Sequence, residues 1–411
     1  MREILFLSHR IPFPPNRGDK IRSHHLLRRL TRLARVHVAT FADGADDADQ
    51  EIELASIAST YRLVRRAKPM IVSAAQSLLS GRPISLHAFY NEALADYVRI
   101  TLQNRAIGTI VIFSGQMGQY VPAGFTGRVV ADFVDVDSVK FEEYAAQRKG
   151  LAKWAYSREA RLLREEEARI ARQAAVSLLI SAEEAALFSA RLSAVERAET
   201  DVRVLPNGID SDFFDPTGSL AEPALEVLDG PKLIFTGQMD YPPNIAAAIR
   251  TAQRIMPLIR ETSPAATFHI VGRNPGERVK QLDGVNGTRV WGSVEDIRPW
   301  LKAADIALVP LEIGRGVQNK VLEAMAMCRP TVLTAAAATG IPATDAKHFL
   351  IADSDSALAL AVCRLIADKA SAREMGREAR AFVVDRFSWS QALADLPEII
   401  DLRSLVVQDA T

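Results

Sequence analysis

Cysteine is nearly missing from this chain: Cys328 and Cys363 are the only two in 411 residues. That excludes a disulfide framework and a thiolate metal cluster, and fits a reducing compartment. Excess charge of one sign is missing as well. Fifty Lys and Arg face fifty Asp and Glu, which argues against a general nucleic-acid binder. No apolar run approaches the ~20 residues that cross a bilayer. The first ten residues, MREILFLSHR, hold only a short apolar run and read as a first strand rather than a signal peptide. No G-x-x-x-x-G-K-[ST] loop is present, which argues against an ATP-driven motor. No Ser-His-Asp order or Cys-His pair stands out for nucleophilic hydrolysis. These features predict a cytoplasmic protein and leave peripheral membrane contact open.

What is present is a globular composition, 48% hydrophobic and 24% charged, at a length that suits two domains. Short apolar runs alternate with helical periodicity throughout, which predicts α/β architecture with parallel sheets covered on both faces. The pattern breaks at Leu205-Pro206-Asn207-Gly208. We expect an N-terminal Rossmann-like domain over 1–205, a linker over 206–230, a second Rossmann-like domain over 231–387 and a C-terminal helix over 388–411. Expected helices include 20–33 capped by Asp19, 69–79, 88–103, one long charged region over 138–174, 244–259 and 294–303. Ser181 with Glu184 three residues on reads as a capping box.

The chain is organised around residues 305–332, DIALVPLEIGRGVQNKVLEAMAMCRPTV. This reads as a buried strand over 305–309, a loop with Gly314 and Gly316, a helix over 317–327 and the next strand. A glycine loop feeding a helix at the carboxyl end of a parallel strand is a natural anion site. Arg315 and Lys320 add positive charge, and Glu323 can accept two hydroxyl hydrogen bonds. Phosphate at the helix tip and a diol on the carboxylate describe a nucleotide diphosphate; an ordinary helix with a solvated Glu323 is the plainer alternative. Three further loops leave strand ends on the same side. Residues 16–22 form a basic rim of Arg17, Gly18, Lys20 and Arg22, with His9 just before. Gly237 and Gln238 open a second loop, and Gly272-Arg273-Asn274 a third. The pair Asp135 and Asp137 has the D-x-D spacing of a metal site, but capping before a helix at Ser138 explains it more simply. His269 alternates within a strand and reads as a satisfied core imidazole.

These phrases resemble the GT-B glycosyltransferases of the family 4 type over nearly the whole length. LPNGIDSDFF (205–214) is similar to the family's linker phrase. KVLEAMA (320–326) followed by Arg329-Pro-Thr-Val is similar to its donor-site helix, and Phe387-Ser-Trp389 to the start of its last helix. The set HRIPFPPNRGDKIRSHHLL, DFVDVDS, GQMDYPPN and GRGVQNKVLEAMAM more closely resembles sugar transferases of PEP-CTERM/exosortase exopolysaccharide loci. The resemblance implies two doubly wound domains facing across a cleft and a nucleotide-sugar donor. It also implies retained anomeric configuration and no metal or other cofactor. It matches Glu323 to the glutamate that binds the nucleotide ribose. Gly316, Val317 and Gln318 match the diphosphate-binding helix tip, and Gly18 the glycine loop of the first domain. Three departures stand out. The first glutamate of the family's E-x7-E pair falls at Arg315, the arginine expected after Gly237 is Gln238, and a histidine expected near Asp132 is Val134. Diphosphate neutralisation then falls to Arg315 and Lys320, with Arg273 and Arg17 as further cations.

The expected activity is hexose transfer to a polysaccharide or lipid-linked oligosaccharide precursor. A nucleotide-sugar epimerase of the same fold and a catalytically silent partner in a polysaccharide assembly complex remain alternatives.

Overall fold

The computed structural model describes residues 3–314 and 317–402. The expected sites Arg315 and Gly316, and the tail beyond residue 402, lie outside them. The chain forms two compact units: one of residues up to Asn207 together with those from Ala392 onward, the other of Gly208–Gln391.

The first unit carries a seven-stranded parallel sheet ordered β3-β2-β1-β4-β5-β6-β7. Its strands are β1 Glu3–Ser8, β2 Val36–Ala42, β3 Thr60–Arg65, β4 Ile107–Phe113, β5 Arg128–Val134, β6 Val176–Leu179 and β7 Val202–Val204. Central strands read as unbroken apolar runs because helices cover both faces. Leu5, Leu7, Ile110, Ile112 and Leu179 are fully buried there. The segment after residue 391 docks on this sheet. Arg128 Nε donates to the Ile399 carbonyl at 2.6 Å and Thr109 Oγ1 to that of Ile400 at 3.3 Å.

The second unit carries a six-stranded parallel sheet ordered β10-β9-β8-β11-β12-β13. The strands are β8 Lys232–Thr236, β9 Thr267–Val271, β10 Thr288–Gly292, β11 Ile306–Val309, β12 Thr331–Leu333 and β13 Leu350–Ile351. The chain runs outward from β8 to β10, then returns to place β11 on the other side of β8. Strand order therefore reverses between β8 and β11, and crevices for ligands open at the carboxyl ends of such a pair.

Several expected elements are broken, each for a local reason. The helix expected over 88–103 is two, Ile84–Ala88 and Glu92–Asn104, and the Asn91 side chain caps the second by accepting from Leu94 N. The charged region is also two helices, Asp137–Ala146 and Gly150–Gln173, parted where Gly150 takes φ +60°. The helix after Pro242 runs as Pro242–Arg250, a π-turn over Thr251–Ile255 and Met256–Thr262. Pro257 has no N–H for the regular ladder, and the wide turn before it absorbs the loss. The helix expected from 294 begins only at Arg298, with Pro299 in its first turn. Ser181 does cap its helix, accepting from Glu184 N, but no reciprocal box forms because the Glu184 carboxylate accepts from Val136 N instead. The full capping box lies at Ser193 and Glu196. A short helix, Ala45–Ala48, follows β2, and the expected linker contains another, Pro223–Glu226.

Candidate functional site

In the second unit, the loops after β8, β9 and β11 gather around the point where strand order reverses. The loop after β8 opens at Gly237, whose φ of +145° suits only glycine. Its N–H donates to the Val271 carbonyl at 3.2 Å, and Gly272 N–H donates to that of Gly292 at 2.8 Å. The three strand ends are thus stitched in sequence. A Cβ on Gly272 would stand 1.7 Å from the Gly237 carbonyl oxygen, so that position tolerates no side chain. Met239, fully buried, ties this loop to the next by donating its N–H to the Arg273 carbonyl at 2.7 Å.

The helix Asn319–Ala326 follows β11. Val321, Leu322, Met325 and Ala326 face the core, which turns Lys320 and Glu323 together toward the β8 side. Lys320 Nζ donates to Asn244 Oδ1, and Asn244 Nδ2 in turn donates to the Gln238 carbonyl at 2.8 Å. The same ammonium lies 4.6 Å from the centre of the Phe235 ring, a cation–π contact. A Cβ on Gly237 would come within 3.0 Å of both Lys320 Nζ and Asn244 Nδ2. Burial lowers the Lys320 pKa to about 8, with nearby Glu323 opposing. Burial raises the Glu323 carboxyl to about 7, with Lys320 opposing. The site therefore offers a cation and a desolvated carboxylate one helical turn apart, beside backbone that only glycine allows.

The loop between β11 and this helix is anchored from behind. Thr334 Oγ1 donates to the Leu311 carbonyl at 2.5 Å. A Cβ on Gly314 would lie 2.0 Å from the Ala336 oxygen. A cavity of about 570 Å³ opens at the other end of the same sheet, beside Lys232, Asp305 and Arg329. It contains none of the residues expected to bind a donor.

The remaining donor-side candidates divide. Gln238 and Arg273 are exposed, each contributing its backbone carbonyl to the loop stitching. Val317 is 41% exposed, and Gln318 stands at the helix N-cap position. Asn244, buried in the first turn of its own helix, was not singled out from sequence, where it reads as a helix start. Its only signal was a polar residue directly after Pro242-Pro243.

The basic rim expected in the first unit is corrected. Lys20 is buried, donating to the Phe13 carbonyl at 2.9 Å and pairing with Asp47. Arg22 is 1% exposed and bonds Asp132 through Nε at 2.9 Å and Nη2 at 3.2 Å. Its Nη1 donates to Asn207 Oδ1 at 2.9 Å. Both are interior cations with long-range partners, not a rim. Arg17 is half-exposed and bonds Asp19 at 2.8 Å. Asp19 does not cap the helix Gly18–Leu33, which begins after Arg17 with no side-chain cap. Burial works to raise the Asp19 pKa, yet bonds from His9 and Arg10 outweigh it and hold the carboxyl well below its usual range. His9 stacks on Phe113 with ring centroids 5.8 Å apart. A Cβ on Gly18 would meet open space.

Asp135 and Asp137 share the Lys140 ammonium, at 2.5 and 3.2 Å, and the helix that Asp137 begins has no side-chain cap. His269 is buried within β9. Trp291 Nε1 donates to its Nδ1 at 3.0 Å, so Nε2 carries the proton toward Thr267 Oγ1. Burial lowers its pKa to about 4 and keeps it neutral.

Residues 230–368 match the family model described as glycosyl transferases group 1. A search of curated proteins finds no match. Among solved structures, the chain is similar to a sucrose-phosphate synthase from Thermosynechococcus elongatus, with TM-score 0.65 and 19% identity over 99% of this chain and all of that one. It is similar to HepE of Anabaena, solved in complex with UDP, with TM-score 0.62 and 14% identity over 98% of this chain and all of that one. A glycosyltransferase from Rickettsia africae gives TM-score 0.61 and 14% identity over 97% of this chain and 98% of that one. The fold, two parallel α/β sheets, is that of GT-B glycosyltransferase structures, and these matches support a glycosyltransferase.

Proposed function

We propose that the chain transfers a hexose from a nucleotide diphosphate sugar to a saccharide or lipid-linked acceptor, with retention of anomeric configuration and without a metal. The observation that carries this reading is the pairing of Lys320 with Glu323 on one helix beside Gly237. A nucleoside diphosphate has the complementary layout, an anion for the ammonium and vicinal hydroxyls for the carboxylate. HepE is also described in complex with UDP-glucose, which makes a uridine nucleotide the first donor to try here.

In the reaction, the bond from the anomeric carbon to the diphosphate oxygen breaks and a bond to the acceptor hydroxyl oxygen forms. The hydroxyl proton leaves with the diphosphate. Negative charge grows on the departing diphosphate, so a fixed, desolvated cation lowers the barrier there. We assign that task to Lys320 and Arg315, and the ribose to Glu323. His9 and Arg17 are assigned to the acceptor side. The long phrase resemblance to PEP-CTERM/exosortase transferases supports a role in exopolysaccharide assembly on the cytoplasmic side of a membrane.

Calorimetric titration with UDP, GDP, ADP, CMP and dTDP tests the reading, repeated with Mg²⁺ and with the Glu323→Ala variant. We expect one nucleoside diphosphate to bind saturably, independently of Mg²⁺, and to lose most affinity in the variant. If no nucleotide binds, the transferase assignment fails.

A further inference from the structure

The helix Met70–Ser80 in the first unit is built inside out. Two of its three serines, Ser73 and Ser77, are fully buried against the protein. The opposite arc carries Ile71, Val72, Ala75, Leu78 and Leu79, a stripe at helical spacing. Ile71 is 83% and Leu79 90% exposed. A surface helix that packs only against its own protein places these residues the other way round, because an outward stripe leaves apolar area in water.

A second helix is fastened to the buried side of this one. Arg158, on the helix Gly150–Gln173, bonds Ser77 twice, through Nη1 to its Oγ at 2.7 Å and through Nη2 to its carbonyl at 2.8 Å. Leu151 and Trp154 share the Arg158 stripe of that helix, at seven and four residues before it. They are 87% and 56% exposed. Two helices fastened at Ser77 and Arg158 thus each carry exposed apolar side chains.

The charge around them is one-sided. Between Glu53 and Glu92 there are five Lys or Arg and no acid, and between Glu143 and Glu159 four and none. Arg65, Arg82, Lys149 and Lys153 are exposed. In a chain of zero formal net charge, both segments that carry the exposed apolar side chains are locally basic in sequence. An apolar face bordered by long basic side chains, with a tryptophan among them, has the chemistry of a bilayer interface. The leucines enter the acyl boundary while the basic heads stay among anionic headgroups.

We propose that this surface docks the protein on an anionic lipid bilayer, with Ile71, Leu78, Leu79, Leu151 and Trp154 inserted and the flanking Lys and Arg on the headgroups. The assignment stands apart from the transfer reaction and would hold for any activity of the second unit.

Flotation of the full chain with phosphatidylcholine vesicles, with and without roughly a third phosphatidylglycerol, tests it. The parent floats with the anionic vesicles, at least about tenfold more weakly with neutral ones, and less as salt rises. Trp154 emission shifts to the blue on binding, a change absent from Trp154→Phe. The double variant Ile71→Glu, Leu79→Glu lowers binding by about a hundredfold or more, with an unchanged thermal midpoint, because neither side chain is buried. The proposal is overturned if the parent ignores anionic vesicles, or if the folded double variant binds as the parent does. It is equally overturned if the stripe mediates self-association, seen as a parent dimer that the variant abolishes without vesicle binding by either.

Discussion

Lys320 and Glu323 stand three residues apart on one helix, and burial moves their pKa values toward each other, to about 8 and about 7. The carboxyl, lifted from 4.5, keeps its proton in the folded chain at pH values where the unfolded chain has lost it. Its contribution to stability is whole below about pH 4.5 and is lost as pH rises through 7. We expect Glu323→Gln to match the parent in thermal midpoint near pH 5 and to exceed it by roughly 3 °C at pH 8. Nucleotide affinity should move oppositely. A carboxylate that accepts ribose hydroxyls is lost on protonation, so affinity falls toward about tenfold per pH unit below 7. A flat profile between pH 5.5 and 8 would show that Glu323 does not touch the ligand.

Lys320 is held by Asn244 and lies over Phe235, so its ammonium is aimed before any ligand arrives. Lys320→Ala should lower kcat/KM by about a hundredfold or more, as the removal of one fixed electrostatic donor does. Asn244→Ala leaves the charge but frees the side chain. It should cost about tenfold, appearing in kcat more than in KM. Steady-state kinetics on the three proteins separates aim from charge. Arg315→Ala belongs in the same series, with a loss comparable to Lys320→Ala.

The overlap of a Gly272 Cβ with the Gly237 carbonyl makes a steric prediction. Gly272→Ala must push apart the ends of β8 and β9 and should destabilise the second unit by about 3 kcal/mol. Gly18→Ala is the matched control, since its Cβ meets nothing, and should change stability by less than about 0.5 kcal/mol. Urea melts of both variants check this.

Arg22 and Asp132 form a buried pair 110 residues apart in sequence. Removing one partner strands the other charge away from water, so Arg22→Ala and Asp132→Ala should each cost about 3–5 kcal/mol. The double variant should cost clearly less than the two losses added. Additivity within error would mean the two act independently.

The alternation of strand and helix was legible because buried parallel strands are apolar throughout and helix periods are not, and Glu323 stood out as a carboxylate on an otherwise core-facing helix. What misled was partner choice at a distance. Lys20 and Arg22 look like loop cations until Asp47 and Asp132 are brought beside them. Asp19 has the chemistry of a cap, but Arg10 and Arg17 claim its oxygens. Periodicity places Ile71, Leu78 and Leu79 on one helix face without saying whether that face points inward. Asn244 was hidden because its partner, Lys320, arrives 76 residues later.

Because Arg128 and Thr109 hold the carbonyls of Ile399 and Ile400, the first unit cannot close until the ribosome has passed the whole of the second unit. Its sheet can form early, but the flank that receives Leu393, Leu396 and Ile399 stays uncovered while the whole of the second unit is being made. Translation order and folding order therefore part company here. A product ending at Asn207 would carry that bare flank permanently and should aggregate, and the same piece should regain solubility when residues 392–402 are joined to it through a short flexible connector.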